Sequence, residues 1–320
     1  MKKVLFWSIF LIITAVFAGQ FFVSNVSRLY ERVTIEHADQ KTVKIVLVGD
    51  IVLDRGIQYM IEKQGNGDFK FPFLKIADEL NRADIIFGNL EGPISDKGTK
   101  VGSIYSFRND PEAIEGLTFA GFNVISLANN HAFDYSKAAL EDCLTRFAAA
   151  GIAYAGAGFS ENEAFSPAIK DIDGTKIGFL AYTNLGPKSW RANGENSGIA
   201  WIDDSAFDSI KHNIEEAKKL ADVLIVSLHA GEEYEKTPTQ FQLNFEQIAV
   251  EAGADIVVNH HPHIVQPDLY SLGNFVFDQG FSEETMEGQI VEILIQDKKI
   301  KEIQRIDIEI NEFFQPEINP

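Results

Sequence analysis

One cysteine, Cys143, stands in 320 residues, and that scarcity excludes an internal disulfide and any cysteine-built metal cluster. It sits with Leu140, Leu144 and Phe147 at helical spacing, which reads as core packing. Positive charge is also short. Lys and Arg number 28 against 47 Asp and Glu, for a formal net charge of −19. A surface of that sign repels nucleic acid and anionic headgroups, so no nucleic-acid partner is expected. It suits plain solubility, or a protein that holds cations. No internal repeat or low-complexity tract interrupts the chain. Gly156-Ala157-Gly158 lacks the full spacing of a phosphate-binding loop and reads as a turn.

Long apolar runs are confined to the N-terminus. Lys2 and Lys3 precede an apolar run over residues 4–23. About 20 residues at a rise of ~1.5 Å span a bilayer core, and the basic flank keeps the start inside. Val16-Phe17-Ala18 offers a cleavage site, but Phe21, Phe22 and Val23 extend the run past it. Residues 1–23 are therefore expected to be an uncleaved anchor, with a cleaved signal as the alternative. No cysteine lies near enough for lipid attachment. Residues 24–41 are mixed and polar and read as a stalk. A domain over 42–310 and a tail over 311–320 follow. At 45% hydrophobic residues, the chain has ample core.

From Thr42 strands alternate with helices, the pattern of a layered α/β fold. Helices are expected over 71–81, 111–121, 136–150, 204–220 and 239–252. Strands are expected over 152–155 and 177–183. The segments 289–295 and 301–310 read as a hairpin around Asp297-Lys298-Lys299.

Five further strand-like runs each end in a residue that can bind a metal. Residues 43–49 end at Asp50, and 83–88 at Asn89 and Glu91. Residues 123–128 end at Asn129, Asn130 and His131. Residues 221–228 end at His229, and 255–258 at Asn259, His260, His261, Pro262 and His263. Sites in open α/β sheets form outside the carboxyl ends of strands. The recurrence points to a metal site split among several runs.

Each motif also has a plainer reading. Asp50 closes an apolar run and needs a partner: a metal, Arg55 or the helix start near it. Asn89 and Glu91 share a face if their strand continues; otherwise Asn89 shapes a turn. His131 can move protons near neutral pH, and Asp134 can orient its ring; Asn130 can equally cap a helix. Glu232 and Glu233 can support His229 or remain solvated loop charges. The segment 259–263 holds three of the seven histidines, and alternation sets His261 and His263 on one face with His260 opposite. His37 and His212 fall in the stalk and on a polar helix face. All candidate ligands are oxygen or nitrogen, which suits Mn²⁺, Fe, Zn²⁺ or Mg²⁺. They suffice for two divalent ions, which in such sites lie about 3.5–4 Å apart and activate water.

The series VGDIVLDRG, GNLEGPIS, FRNDPEAI, SLANNHAFDY, SLHAGEEY, NHHPHIVQP and YSLGNFVFDQG resembles the CapA family of capsule (poly-γ-glutamate) synthesis proteins. The resemblance runs from about residue 43 to 310 with all motifs in order. It implies a calcineurin-like metallophosphoesterase fold, a four-layer α/β/β/α sandwich, commonly membrane-anchored and facing outward. It implies metal ligation by Asp50, Glu91, Asn130, His229, His261 and His263, and catalysis by His131 with Asp134. Arg55, Arg108, Asn89 and Asn274 are expected at the substrate, with Lys188 and Arg191 as further cations. Ser271 and Asp278 match the last motif without an evident role. The implied substrate is a phosphoester or an anionic polymer, and membrane synthase subunits are possible partners. The other reading is a non-catalytic subunit that helps such a synthase. The chain departs from the family at Ala230 (usually Trp) and Asn259 (usually Gly), and between Gln266 and Tyr270, where only three residues stand. Val52 stands where ordinary metallophosphoesterases carry a His, which leaves one ion short of a ligand.

Overall fold

The computed structural model describes residues 42–102 and 104–318. The expected anchor and stalk lie outside the described residues. No helix among the described residues is long and apolar enough to cross a membrane.

Among the described residues the two larger sheets are built from eleven strands and the short strand Asn274–Val276, which pairs in parallel with the first of them. The eleven are β1 (Thr42–Ile51), β2 (Ile85–Leu90), β3 (Val124–Ser126), β4 (Ala153–Ala155), β5 (Ala168–Ile172), β6 (Thr175–Thr183), β7 (Val223–His229), β8 (Ile256–His260), β9 (Glu287–Gln296), β10 (Lys299–Ile310) and β11 (Pro316–Ile318). The first sheet runs β11-β10-β9-β1-β2-β3-β4, and the second β8-β7-β6-β5. Strands β1 to β4 are mutually parallel, as are β6, β7 and β8. Both parallel sets therefore present their carboxyl ends as edges on which loops can gather.

Period-two alternation explains the layering. Val43, Ile45 and Leu47 of β1 pack with Ile177, Phe179 and Ile225 of the second sheet. Phe87 and Phe179 stack across that interface at 5.3 Å. Val46 and Val48 turn the other way, onto helices α1 (Arg55–Lys63), α2 (Ala77–Leu80), α3 (Ala113–Phe119) and α4 (Ser136–Ala150). Leu180, Tyr182, Val226 and Leu228 of the second sheet cover α5 (Phe207–Lys218) and α6 (Gln240–Glu251). The result is helices, sheet, sheet, helices, the four-layer α/β/β/α sandwich that the family resemblance implied.

Some boundaries moved. The helix expected over 71–81 is a 3-10 turn, Phe71–Phe73, followed by α2. The chain breaks at Ile76, whose φ of −123° leaves the helical range. So short a segment follows its packing, which buries Phe73, Ile76 and Leu80. Helix α1 was not among the expected helices, although Asp54 as N-cap and Ile57 and Ile61, four apart and both buried, are signals for it. The described part of the expected tail, residues 311–318, packs onto the domain. Strand β11 pairs with β10, and Gln315 Nε2 donates to the Phe71 carbonyl at 2.5 Å.

Candidate metal centre

The ends of β1, β2, β7 and β8 meet. Asp50 lies in register with Asn89 on β2 and with Asn274 on the short strand Asn274–Val276. His260 lies in register with His229. The β1 end approaches the 272–274 segment so closely that a Cβ on Gly49 would fall 2.0 Å from the Gly273 carbonyl oxygen. Only glycine permits the bond there, from Asp50 N–H to Gly273 O at 3.1 Å.

Asp50 is the hub. Its Oδ1 accepts from Asn89 Nδ2 at 2.7 Å, and its Oδ2 from the His261 N–H at 3.0 Å. His263 Nδ1 lies 3.5 Å from Oδ2 and His260 Nδ1 3.6 Å from Oδ1. Asn89 Nδ2 is also 3.1 Å from His229 Nδ1, and Asn129 Nδ2 donates to Asn89 Oδ1 at 3.1 Å. On its other side, His229 Nε2 donates to Asn130 Oδ1 at 2.8 Å. His131 Nδ1 donates to Asp134 Oδ2 at 2.6 Å, and its Nε2 lies 3.6 Å from Glu91 Oε2.

His261 and His263 do come together, with ring centroids 5.7 Å apart, but not through strand alternation. Their φ angles are 99° and 59°, both in the left-handed region. Such a backbone costs on the order of 1–3 kcal/mol per residue and tends to mark functional sites. His260, expected on the opposite face, is instead buried beside Asp50.

Burial sets the electrostatics. It pushes the Asp50 carboxyl up to about 7, against the opposing pull of the bonds from Asn89 and His261. It raises Glu91 well above the carboxylate range, with the Asp50 charge adding to the rise. Burial and then neighbouring histidines push His229 and His263 well below the usual imidazole range. His260 and His261 fall to about 3, chiefly through burial. The imidazoles are thus neutral, the form that binds metal.

Several polar atoms here are left without hydrogen bonds. Glu91 Oε1 and Oε2, His260 Nδ1 and Nε2, and His261 Nδ1 are buried and unpartnered. Orphans of this kind cost free energy unless something fills the gap between them. Two groups place one ligand atom from each member within 4.8 Å of the others: Asp50, Glu91 and His263, and Glu233, His261 and His263. Carboxylates facing neutral imidazoles fit divalent metal ions.

A cleft of about 630 Å³ opens above the centre, lined by Arg55, Phe107, His131, Glu233, Tyr234 and Phe277 among others. Of the residues expected at the substrate, Arg55 is on this wall. It pairs with Asp278 at 2.6 Å rather than with Asp50. Arg108 is not among the lining residues; its guanidinium lies over Tyr135 at 4.3 Å and donates to the Lys97 carbonyl at 3.2 Å. The side chain of that motif which reaches inward is Asn109, buried and bonded to Leu53 N–H and to the carbonyls of Glu91 and Gly92. Asn89 and Asn274 are fully buried, so neither forms cleft wall. Lys188 and Arg191 pair with Asp203 and Glu161.

The last motif now has a physical role. Asn274 Oδ1 holds His263 Nδ1 at 3.0 Å, while its Nδ2 donates to the Thr285 carbonyl at 2.9 Å. Asp278 binds Arg55 and the Gly56 N–H. Ser271 is fully buried, and its Oγ accepts from Gly273 N–H, a turn contact and not a nucleophile's setting. Val52 packs with Phe107 and Phe277 in a small apolar cluster. Asn274→Ala is expected to weaken metal binding about 10–100-fold by freeing the His263 ring. It should also cost about 1–3 kcal/mol of stability through the stranded Thr285 carbonyl. Metal titration and thermal melts check both; unaltered metal affinity would remove Asn274 from this role.

Comparison with known proteins places the chain. It is 31% identical over 276 residues to the PGA biosynthesis protein CapA of Bacillus subtilis (strain 168), covering 83% of this chain and 71% of that protein. It is 28% identical over 291 residues to the capsule biosynthesis protein CapA of Bacillus anthracis, covering 87% and 70%. Among solved structures, it resembles a novel phosphatase from Mycoplasma pneumoniae at 15% identity and a TM-score of 0.44, covering 85% of this chain and 95% of that one. Residues 44–279 match the model of the bacterial capsule synthesis protein PGA_cap, and the chain belongs to that family.

Proposed function

We propose that this chain is a metal-dependent hydrolase or transferase of capsule and poly-γ-glutamate biosynthesis. The N-terminal segment anchors it in the membrane, with the remainder outside the cytoplasm. Its substrate is a phosphoester or the backbone of an anionic polymer. One observation carries the reading: two buried carboxyls, Asp50 and Glu91, face buried neutral imidazoles beside the His131–Asp134 pair. Asp50, Glu91, Asn130, His229, His261 and His263 would hold two divalent ions. Ions bound there supply Lewis-acid polarisation and a water of lowered pKa.

The rest is done by side chains. Asp134 accepts the Nδ1 proton of His131, which leaves Nε2 to take or return a proton at the reacting group. Phe107 packs on the His131 ring at 4.1 Å and limits its rotation. Arg55 is the one Lys or Arg among the described residues lining the cleft, and Asp278 already pairs with it. An anionic substrate therefore meets Glu233 and Asp278 without a spare side-chain cation.

The pH dependence of metal uptake follows from the buried carboxyls. Below about 7 Asp50 carries a proton in the metal-free fold, and Glu91 is raised as well. Metal binding must displace those protons, while the histidines are already neutral. Affinity should fall as pH drops through 7, by about tenfold per pH unit for each proton displaced. Mn²⁺ titrations between pH 5.5 and 8.5 test this; a flat profile would contradict it.

Val52 favours a second reading, a non-catalytic subunit of a membrane synthase, because it withholds a ligand. Assays of the metal-loaded full-length chain on phosphoesters and γ-glutamyl polymers separate the two. Turnover that chelation abolishes supports the enzyme. Tight metal binding with no turnover of either class supports the subunit.

A further inference from the structure

Glu233 stands out because it is exposed, yet its carboxylate lies against two buried imidazoles. A ligand atom from Glu233, one from His261 and one from His263 all fall within 4.8 Å of one another. His261 is 6% exposed, and its Nδ1 has no hydrogen-bond partner.

The loop bearing Glu233 is tied to the histidine turn at three points. Ala230 N–H donates to the His260 carbonyl at 3.2 Å, and Tyr234 N–H to the Pro262 carbonyl at 2.8 Å. Gln266 Nε2 donates to the Glu235 carbonyl at 2.6 Å. Gln279 Nε2 also donates to the Tyr234 hydroxyl at 3.1 Å. Tyr234 itself holds a φ of 65°, a left-handed backbone that this anchoring sustains. A loop that only carried solvated charge would not need such fixing.

Position 52 supplies no ligand. Val52 is fully buried against Phe107 and Phe277, and the Phe277 ring lies 4.8 Å from that of His263. An apolar wall there cannot donate to a metal.

We propose that Glu233 is a metal ligand: with His261 and His263 it holds a divalent transition ion on the cleft side of the centre, in place of the ligand that Val52 does not supply. Two imidazoles and one carboxylate suit Mn²⁺, Fe²⁺ or Zn²⁺ over Ca²⁺ and leave coordination positions open toward the cleft. This inference rests on the metal reading of the centre.

The test uses the full-length chain in detergent, stripped with chelator and titrated with Mn²⁺ by calorimetry. Paramagnetic resonance counts the bound ions. Glu233→Gln is compared with Glu232→Gln, which removes the same charge one residue away. The expected result is that E233Q weakens one Mn²⁺ binding event about tenfold or more while E232Q leaves both unchanged. Metal-free melting temperatures equal to wild type establish that both variants fold. Equal weakening in both variants would reduce Glu233 to a general charge effect and overturn the proposal. Unchanged binding by E233Q would also overturn it, while two events in the wild type would leave the two-ion reading standing. No Mn²⁺ uptake by the wild type would sink both.

Discussion

Asp50→Asn is expected to lose tight metal binding, by about 100-fold or more, and at pH 8 to make the metal-free protein more stable. Both effects come from one buried charge. Asp50 is fully buried, both its oxygens accept N–H donors, and three histidine rings lie within 4.0 Å. Among the described residues no Lys or Arg pairs with it directly, since Arg55 is taken by Asp278. Its folded carboxyl titrates at about 7, against an ordinary value of 3.8. Between those values the folded metal-free chain keeps a proton that the unfolded chain has lost. Stability is therefore eroded as pH rises through this window, by an amount on the order of a few kcal/mol. Asparagine does not ionise and escapes that cost. It turns an amide N–H₂ toward a donor and gives up one hydrogen bond, about 1–2 kcal/mol. The variant should melt above metal-free wild type at pH 8 and below it at pH 5. Melts after chelation test the crossing; a variant less stable at both pH values would show that Asp50 is not held against its charge. Metal added at pH 8 should stabilise the wild type and leave the variant where it is.

His131→Ala should lower turnover about 10²–10⁴-fold and leave the metal in place. The ring lines the cleft, fixed by Asp134 on one side and Phe107 on its face. It is no member of either group able to close around an ion. Removing it takes away a proton carrier and leaves the ligand set whole. Asp134→Asn should lower turnover too, because a neutral amide no longer stabilises a protonated His131 ring and can turn its N–H₂ toward Nδ1, selecting the wrong tautomer. That variant is also expected to lose stability, since Asp134 Oδ2 accepts the Phe107 N–H at 2.8 Å. The decisive readout pairs kcat with metal content. Loss of turnover at full metal content supports His131 as the proton carrier; loss of metal in step with turnover would make it a ligand instead.

The α/β class and the strand ends were legible because they depend on local pattern; the four-layer order came from the family resemblance. Helix α4 falls on the expected 136–150 because its apolar spacing and the following Gly151, with φ 73°, are both written locally. Strand β1 was legible only as an apolar run; that Val46 and Val48 face the helices while Ile45 and Leu47 face the second sheet is set by the fold. The network within the site was less legible because its partners are remote in sequence. Arg55 and Asp278 are 223 residues apart, and Asp50 and His261 are 211 apart. Arg55 could as well have belonged to Asp50, and Arg108 to the cleft, until the fold chose their partners. Asn274 read as a substrate contact because nothing local says that it lies under His263. The place of His260 was misjudged for another reason. Alternation holds only while a strand continues, and the backbone leaves strand geometry at His261.

The two-ion centre is tested most directly by the metal content of the full-length chain, purified in detergent without chelator and measured by plasma mass spectrometry. Close to two divalent transition ions per chain are expected from it. A chain that holds none, even after Mn²⁺ or Zn²⁺ is offered at pH 8, would contradict it.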